Sequence, residues 1–446
     1  MTAMSAELHR LKTSAELALA DAFATAKPTL PGDPAAVALR ETAFGHFAAA
    51  GLPHRQVEDW KYTDLRTLMR DAKPLASPPD ADVKARALGA GRILAGVDCR
   101  RVIVVNGAFV PELSDLGGLE SGLTIGSMAQ ALAQGDRFVS AHIGKAAPAG
   151  DVAVSLNTAL MGDGLVVRVA KGANVARPLH IVSVTAGDTA IASFVRNLIV
   201  VEDGGRASLV ESHEGPAGVD YQVNTACDLV IGEGAEVDYL KITTEGSGAL
   251  HVATLMASIG ARARLKDLSF TTGGAVVRNQ RLLRFEGVGG FAGIRGASLL
   301  KGRQHADVTV VADHRAGQCQ SQELFKAVLD GDARSVFQGR ITVHPQAQKT
   351  DARMMTRALL LSETAEAISK PELEIFADDV QCGHGATTGA LDGQLKFYLM
   401  ARGIPAKEAE TLLIQAFIGE AIDGVEHVGL REALMDATAA WLAGRG

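Results

Sequence analysis

A chain of 446 residues, 47% apolar and 21% charged, has room for several average domains or one extended solenoid, and its composition is that of an ordinary globular protein. The formal charge of −7, with no Lys/Arg run longer than a pair such as Arg100-Arg101, excludes the basic stripe that a nucleic-acid partner requires. Glycine is frequent at 48 residues while aromatics make up only 4%, which favours a turn-rich β architecture over a helical bundle.

The first ten residues are too polar for a signal peptide, and no window approaches eighteen unbroken apolar residues, so no membrane span is expected. Leu8, Leu11, Ala15, Ala18, Leu19 and Ala22 follow the spacing of a buried helix stripe. Pro28, Pro31 and Pro34 break that pattern, and Asp33-Pro34 supplies an N-cap and a first helical position for a second helix. These elements form a helical region over 1–72. A mixed linker region over 73–150 begins with the Pro-rich stretch Lys73–Asp80 and contains a strand from Arg101 running into the turn Asn106-Gly107.

From about residue 151 to 388 short apolar strands alternate with glycine corners. The corners at Gly172, Gly205, Gly234, Gly260 and Gly289 lie 26 to 33 residues apart, and Gly331 continues the pattern. A period of that size built from strands is the signature of a parallel β-helix, in which each rung stacks on the one before. The competing β-sandwich would recur every 8–12 residues or so with Asn-Gly or Asp-Gly hairpin turns, which are sparse here. Over 389–446 the pattern is helical again. Leu391, Leu395, Tyr398 and Leu399 form one stripe that stops at Gly403; Pro405 opens a second, with Ala409, Leu412, Leu413, Ala416 and Phe417 on one face; Leu430, Leu434, Ala437, Trp441 and Leu442 mark a third.

Motifs for familiar chemistry are missing. There is no GxxxxGK[ST], GxSxG or HExxH, and Gly287-Val-Gly289-Gly-Phe-Ala292 opens no helix, so it reads as corner glycine. The four cysteines at 99, 227, 319 and 382 have no close pair, which is neither a disulfide framework nor a CxxC site and suits a reducing cytosol. His305, His314, Cys319 and His344 are scattered candidates for ligands on stacked rungs. Cys382 and His384, two residues apart in a Gly-flanked segment after Asp378-Asp379, are a sharper pair: thiolate and imidazole suit iron or zinc, but two ligands do not close a site.

Three long segments then carry a resemblance: Val336 to Asp351, Lys370 to Thr387, and Phe397 to Ile404, with a short Trp60-Lys-Tyr-Thr63 motif near the N-terminus. They resemble the SufB/SufD family of the SUF iron–sulfur cluster assembly machinery, from about residue 40 to 425. Gly385 after the histidine is the SufD-like choice, where SufB sequences carry Glu. The resemblance implies a mainly β fold, a right-handed parallel β-helix with a helical N-terminal region and a C-terminal helical domain. It also implies a non-catalytic subunit that pairs with SufB through the end of the β-helix and docks the SufC ATPase through residues about 391–425. Cys382 and His384 would meet iron and a transient, nascent cluster at the SufB junction, with nothing held tightly by the isolated chain. A β-helix enzyme acting on polysaccharide is the alternative; low aromatic content and two tryptophans speak against it.

Overall fold

Consecutive strands of the chain go in turn to two sheets. From Leu165–Val169 to Gln381–Ala390, each strand pairs in parallel with the strand two along, which makes eight turns of a two-sheet solenoid. The computed structural model describes residues 12–146 and 150–445, so Leu8 and Leu11 of the first helix stripe lie outside the described residues. In the first sheet, which ends in Glu366–Ile375, Ala192, Gln222, Leu250, Val276, His305, Arg334 and Glu366 stand in one row, a step of 26 to 32 residues per turn. Parallel pairing at that step is the β-helix expected from the glycine period, and it rules out the sandwich. The second sheet, which ends in Gln381–Ala390, reaches back to Arg100–Val105, parallel to Leu179–Val184. Ala108–Phe109 and Leu123–Ser127 close the early edges by antiparallel pairing.

The corners explain the glycines, with a correction of register. Positive φ recurs at Gly172, Gly204, Gly234, Arg262, Gly289, Gln318 and Lys349. Each of these N–H groups donates to the next corner: Gly204 to Glu233 O at 2.8 Å, Gly234 to Ala261 O at 2.8 Å, Arg262 to Val288 O at 2.9 Å. The left-handed position is therefore not at Gly205 or Gly260. Those two are glycine because a Cβ would stand 2.9 Å from Glu202 O and 2.8 Å from Ile231 O respectively, too close for stacked corners. The strained backbone at Arg262, roughly 1–2 kcal/mol for an L-residue, is offset by its ladder hydrogen bond.

Alternation along each strand decides what is inside. Leu209, Tyr239, Leu265 and Ile294 of the second sheet and Ile199, Leu229, Leu283 and Ile341 of the first meet in the interior. The outward residues of the second sheet, among them Val210, Leu240, Phe270 and Leu299, are covered by the C-terminal helices Ala406–Ile422 and Val428–Ala443. On Ala406–Ile422 the buried stripe is Ala409, Ile414, Ile418, Ala421 and Ile422. That corrects the stripe read from spacing: Leu412 and Ala416 face solvent, because the helix packs at the register that meets the sheet.

The outer face of the first sheet is covered from the N-terminal side. Helix Pro34–Ala50 begins at the expected Asp33 cap, whose Oδ1 accepts from Ala36 N at 2.9 Å. It packs with helix Val152–Leu160, and Asn157 Nδ2 donates to Val195 O and Asn224 O, both at 3.0 Å. The Trp60-Lys-Tyr-Thr63 segment is a clamp. Trp60 is buried under the guanidinium of Arg278, 3.9 Å from the ring centre, while Thr63 donates to Asp307, itself paired with Arg278.

Candidate functional site

The late end of the solenoid has no such cover. Glu366–Ile375 and Gln381–Ala390 are the outermost strands of their sheets, each paired on one side only among the described residues, and their residues are half-buried or exposed. Unpaired ladder edges invite another chain. Beside them Ile375 and Phe376 are exposed, Phe376 at 62%.

The terminal strand carries both residues singled out from the sequence. Cys382 stands over Ala352 and His384 over Met354, so two residues of separation place them on one face, at the head of the inward columns. Cys382 is half-buried against the end of the apolar core. Burial pushes its thiol pKa up and the Asp351 charge adds to this, against a smaller opposing hydrogen bond from the Ala352 backbone. His384 is exposed. Gly385 has a structural reason: a Cβ there would lie 2.6 Å from Met355 Cε.

Cys382 and His384 border a cavity of about 750 Å³. Arg295, Arg353 and Arg357 give it positive charge, and Glu420, an ion-pair partner of Lys326, joins it to the helical layer. A further lining residue was indicated by no sequence motif. Glu323 sits in the same inward column as His384, two rungs below, with Met354 between them. It is 4% exposed, neither carboxylate oxygen has a protein hydrogen-bond partner among the described residues, and burial pushes its pKa up to about 8. Its only sequence trace is a charge at an inward position of the strand Gln320–Leu329. The inward face of this end offers a thiol and an imidazole, while the three guanidinium groups stand on the outward face of the same sheet.

The four scattered candidates do not converge. His314 is stacked on Phe285 and bonds Ser321 Oγ at 3.0 Å; His305 bonds Thr63 Oγ1 at 2.9 Å; His344 bonds Asp313 at 2.8 Å; Cys319 donates to Gly287 O at 3.3 Å. Each is spent on local structure.

Comparison with known proteins gives the family. Residues 183–417 match the family described as SUF system FeS cluster assembly, SufBD core domain, and residues 13–181 match the SufBD protein N-terminal region. An iron–sulfur cluster assembly SufBD family protein of Synechocystis is 30% identical over 406 residues, covering 89% of this chain and 88% of its own. The iron–sulfur cluster assembly protein SufD of Escherichia coli is 29% identical over 392 residues, covering 86% and 88%. SufD of Bacillus subtilis is 29% identical over 288 residues, covering 63% and 64%.

Proposed function

This chain belongs to the SufBD family of iron–sulfur cluster assembly proteins and is SufD-like, and on that premise we propose that it is a non-catalytic scaffold subunit of a cytoplasmic SUF complex, pairing with SufB and docking the SufC ATPase. The family ties the solenoid to cluster assembly and removes the ground for the polysaccharide reading. The single observation that carries the proposal is the open end: two strand edges unpaired among the described residues, an apolar rim, and Cys382 with His384 on one exposed face. A partner solenoid can cover such an edge by strand addition. A site at the seam would then draw the remaining ligands from SufB, which accounts for two plausible donors and no closed set at this end.

Iron and sulfide are the substrates of that seam, and the cluster is cargo held by both chains, not tightly by this end alone. His384 is exposed and offers a ring nitrogen to iron, whereas Cys382 must lose a proton that burial makes harder to remove, so His384 is the stronger contributor. On the outward face of the same strands, Arg295, Arg353 and Arg357 favour an anionic sulfur species beside them. For SufC, the helix Gly393–Met400 within residues 391–425 offers the surface. None of its residues is buried, and Leu395, Phe397, Tyr398 and Met400 are all exposed, an apolar patch of the kind that marks an interface. No helix among the described residues is long and apolar enough to cross a membrane.

The test is co-expression with SufB and SufC followed by anaerobic iron and sulfide analysis. His384→Ala should leave complex formation and melting nearly unchanged and lower cluster content at least tenfold, with a milder loss for Cys382→Ala. Wild-type iron and sulfide in the His384→Ala complex would sink the proposal; loss of the complex would assign His384 a structural role instead.

A further inference from the structure

The interior of the solenoid changes character along its axis. In the late turns the inward positions carry Val308, Phe325, Phe337 and Ile341. In the early turns they carry Glu211, His213, Lys241 and His251, with Glu245 just beyond its strand, and all five are at most 5% exposed. Burying such groups costs several kcal/mol each unless they are paired, so the partners of each charge matter.

Most are paired. Glu211 accepts hydrogen bonds from Tyr239 and, at 3.2 Å, from Asn197, and faces Lys241 Nζ at 3.6 Å. Asp267 pairs with Arg281 at 2.8 Å. Glu245 has no Lys or Arg within 4 Å among the described residues; its partner is the His251 imidazole, 2.9 Å away. His213 completes the group. One ligand atom from each of His213, Glu245 and His251 lies within 4.8 Å of the other two, and the two rings meet edge-on with centres 4.6 Å apart. A second observation points to the same space. Thr243 is paired with His213 on the next rung and is fully buried, and its hydroxyl has no protein partner among the described residues.

We propose that His213, Glu245 and His251 form an enclosed site for one divalent first-row transition-metal ion, iron(II) or zinc. Two imidazoles and one carboxylate are a donor set that both ions take, with positions left over for oxygen ligands such as the Thr243 hydroxyl or water. The ion supplies the positive charge that Glu245 lacks. The outer hydrogen bond of His251 suits ligation through its Nδ1. Nε2 of His251 lies 3.2 Å from Thr225 Oγ1, and Nε2 of His213 lies 3.3 Å from Glu211 and 2.6 Å from Lys241 Nζ. For His213 to ligate through Nδ1, its Nε2–H turns to Glu211 and the Lys241 ammonium, a donor only, moves off the ring nitrogen onto Glu211. A carboxylate behind a ligating histidine is the usual orienting arrangement.

This ion is distinct from the cargo at the open end. The row from His213 through Thr243, Thr271, Ser298, Ala327 and Ala358 to Thr388 counts six rungs, roughly 29 Å at about 4.8 Å per rung. Being enclosed, it enters as the chain folds and stays. That revises the sequence-based expectation that the isolated chain holds no ion tightly.

The test uses the full chain alone, purified anaerobically from cells supplied with both iron and zinc, with metals counted by mass spectrometry. About one iron or zinc per chain is expected after gel filtration in EDTA, and equally in a Cys382→Ala/His384→Ala double variant, which separates this site from the seam. Glu245→Gln and His251→Gln should each lower occupancy at least tenfold. X-ray absorption on the wild-type metal should show a nitrogen and oxygen shell, which keeps the proposal testable if the variants do not fold. Metal-free folded wild type, undiminished metal in a folded Glu245→Gln chain, or a sulfur shell would each overturn the site.

Discussion

The two ends of this solenoid are built from the same rung and treated oppositely. At the early end, antiparallel strands close the sheet edges and N-terminal helices lie over the first sheet. At the late end the last two strands keep edges unpaired among the described residues, an apolar rim and the Cys382/His384 face. The difference teaches where to look for function: a repeat fold must cover its terminal rungs, so an uncovered one is reserved for another chain. The same contrast runs through the helical layers, since Ala406–Ile422 buries a full apolar stripe on the second sheet while Gly393–Met400 buries none.

The comparison can be broken at its covered side first. Trp60→Ala should destabilise the chain by about 3–5 kcal/mol in urea unfolding, because a buried indole and its Arg278 contact are both lost. If the loss is under about 1 kcal/mol, the N-terminal clamp does not hold the layer to the sheet.

Glu323 sharpens the open side. Burial raises its pKa to about 8 in the folded chain, whereas an unfolded glutamate releases its proton near pH 4.3 or so. Between those values the folded state binds the extra proton, so its contribution to stability is full at low pH and falls as pH rises. The expected slope is about 1.4 kcal/mol per pH unit up to near pH 8. Glu323→Gln should remove that slope when melts are compared from pH 5 to 8.5; parallel profiles for the two proteins would show that the carboxyl finds a partner in solution.

The smallest expected stability effect is on the uncovered helix. Phe397→Ala, at a side chain 72% exposed, should change unfolding by less than about 0.5 kcal/mol yet lower SufC retention in co-purification. Ile418→Ala, on the buried stripe of the neighbouring helix, should instead cost about 2–5 kcal/mol. Retained SufC with Phe397→Ala would move the docking surface off Gly393–Met400.

Much of this was legible in the residues. The glycine period carried the rung, Asp33-Pro34 carried a helix start, and the segments around Cys382 and His384 carried the family, though the strand that holds both on one face came only with the structure. The legible signals are local: a corner, a cap and a short motif each depend on a few neighbouring residues. What only the tertiary structure decided is register. Rungs of 26 to 32 residues differ in corner length, and a shift of one residue turns every side chain on a strand to the other face. Stacking therefore chose Gly204 over Gly205 for the left-handed corner, placed Glu323 beneath His384, and turned Ile414 and Ile418, not Leu412 and Ala416, toward the sheet. It also brought His213, Glu245 and His251 together across two sheets, because ligand convergence depends on which rungs stack, and no spacing along the chain records that.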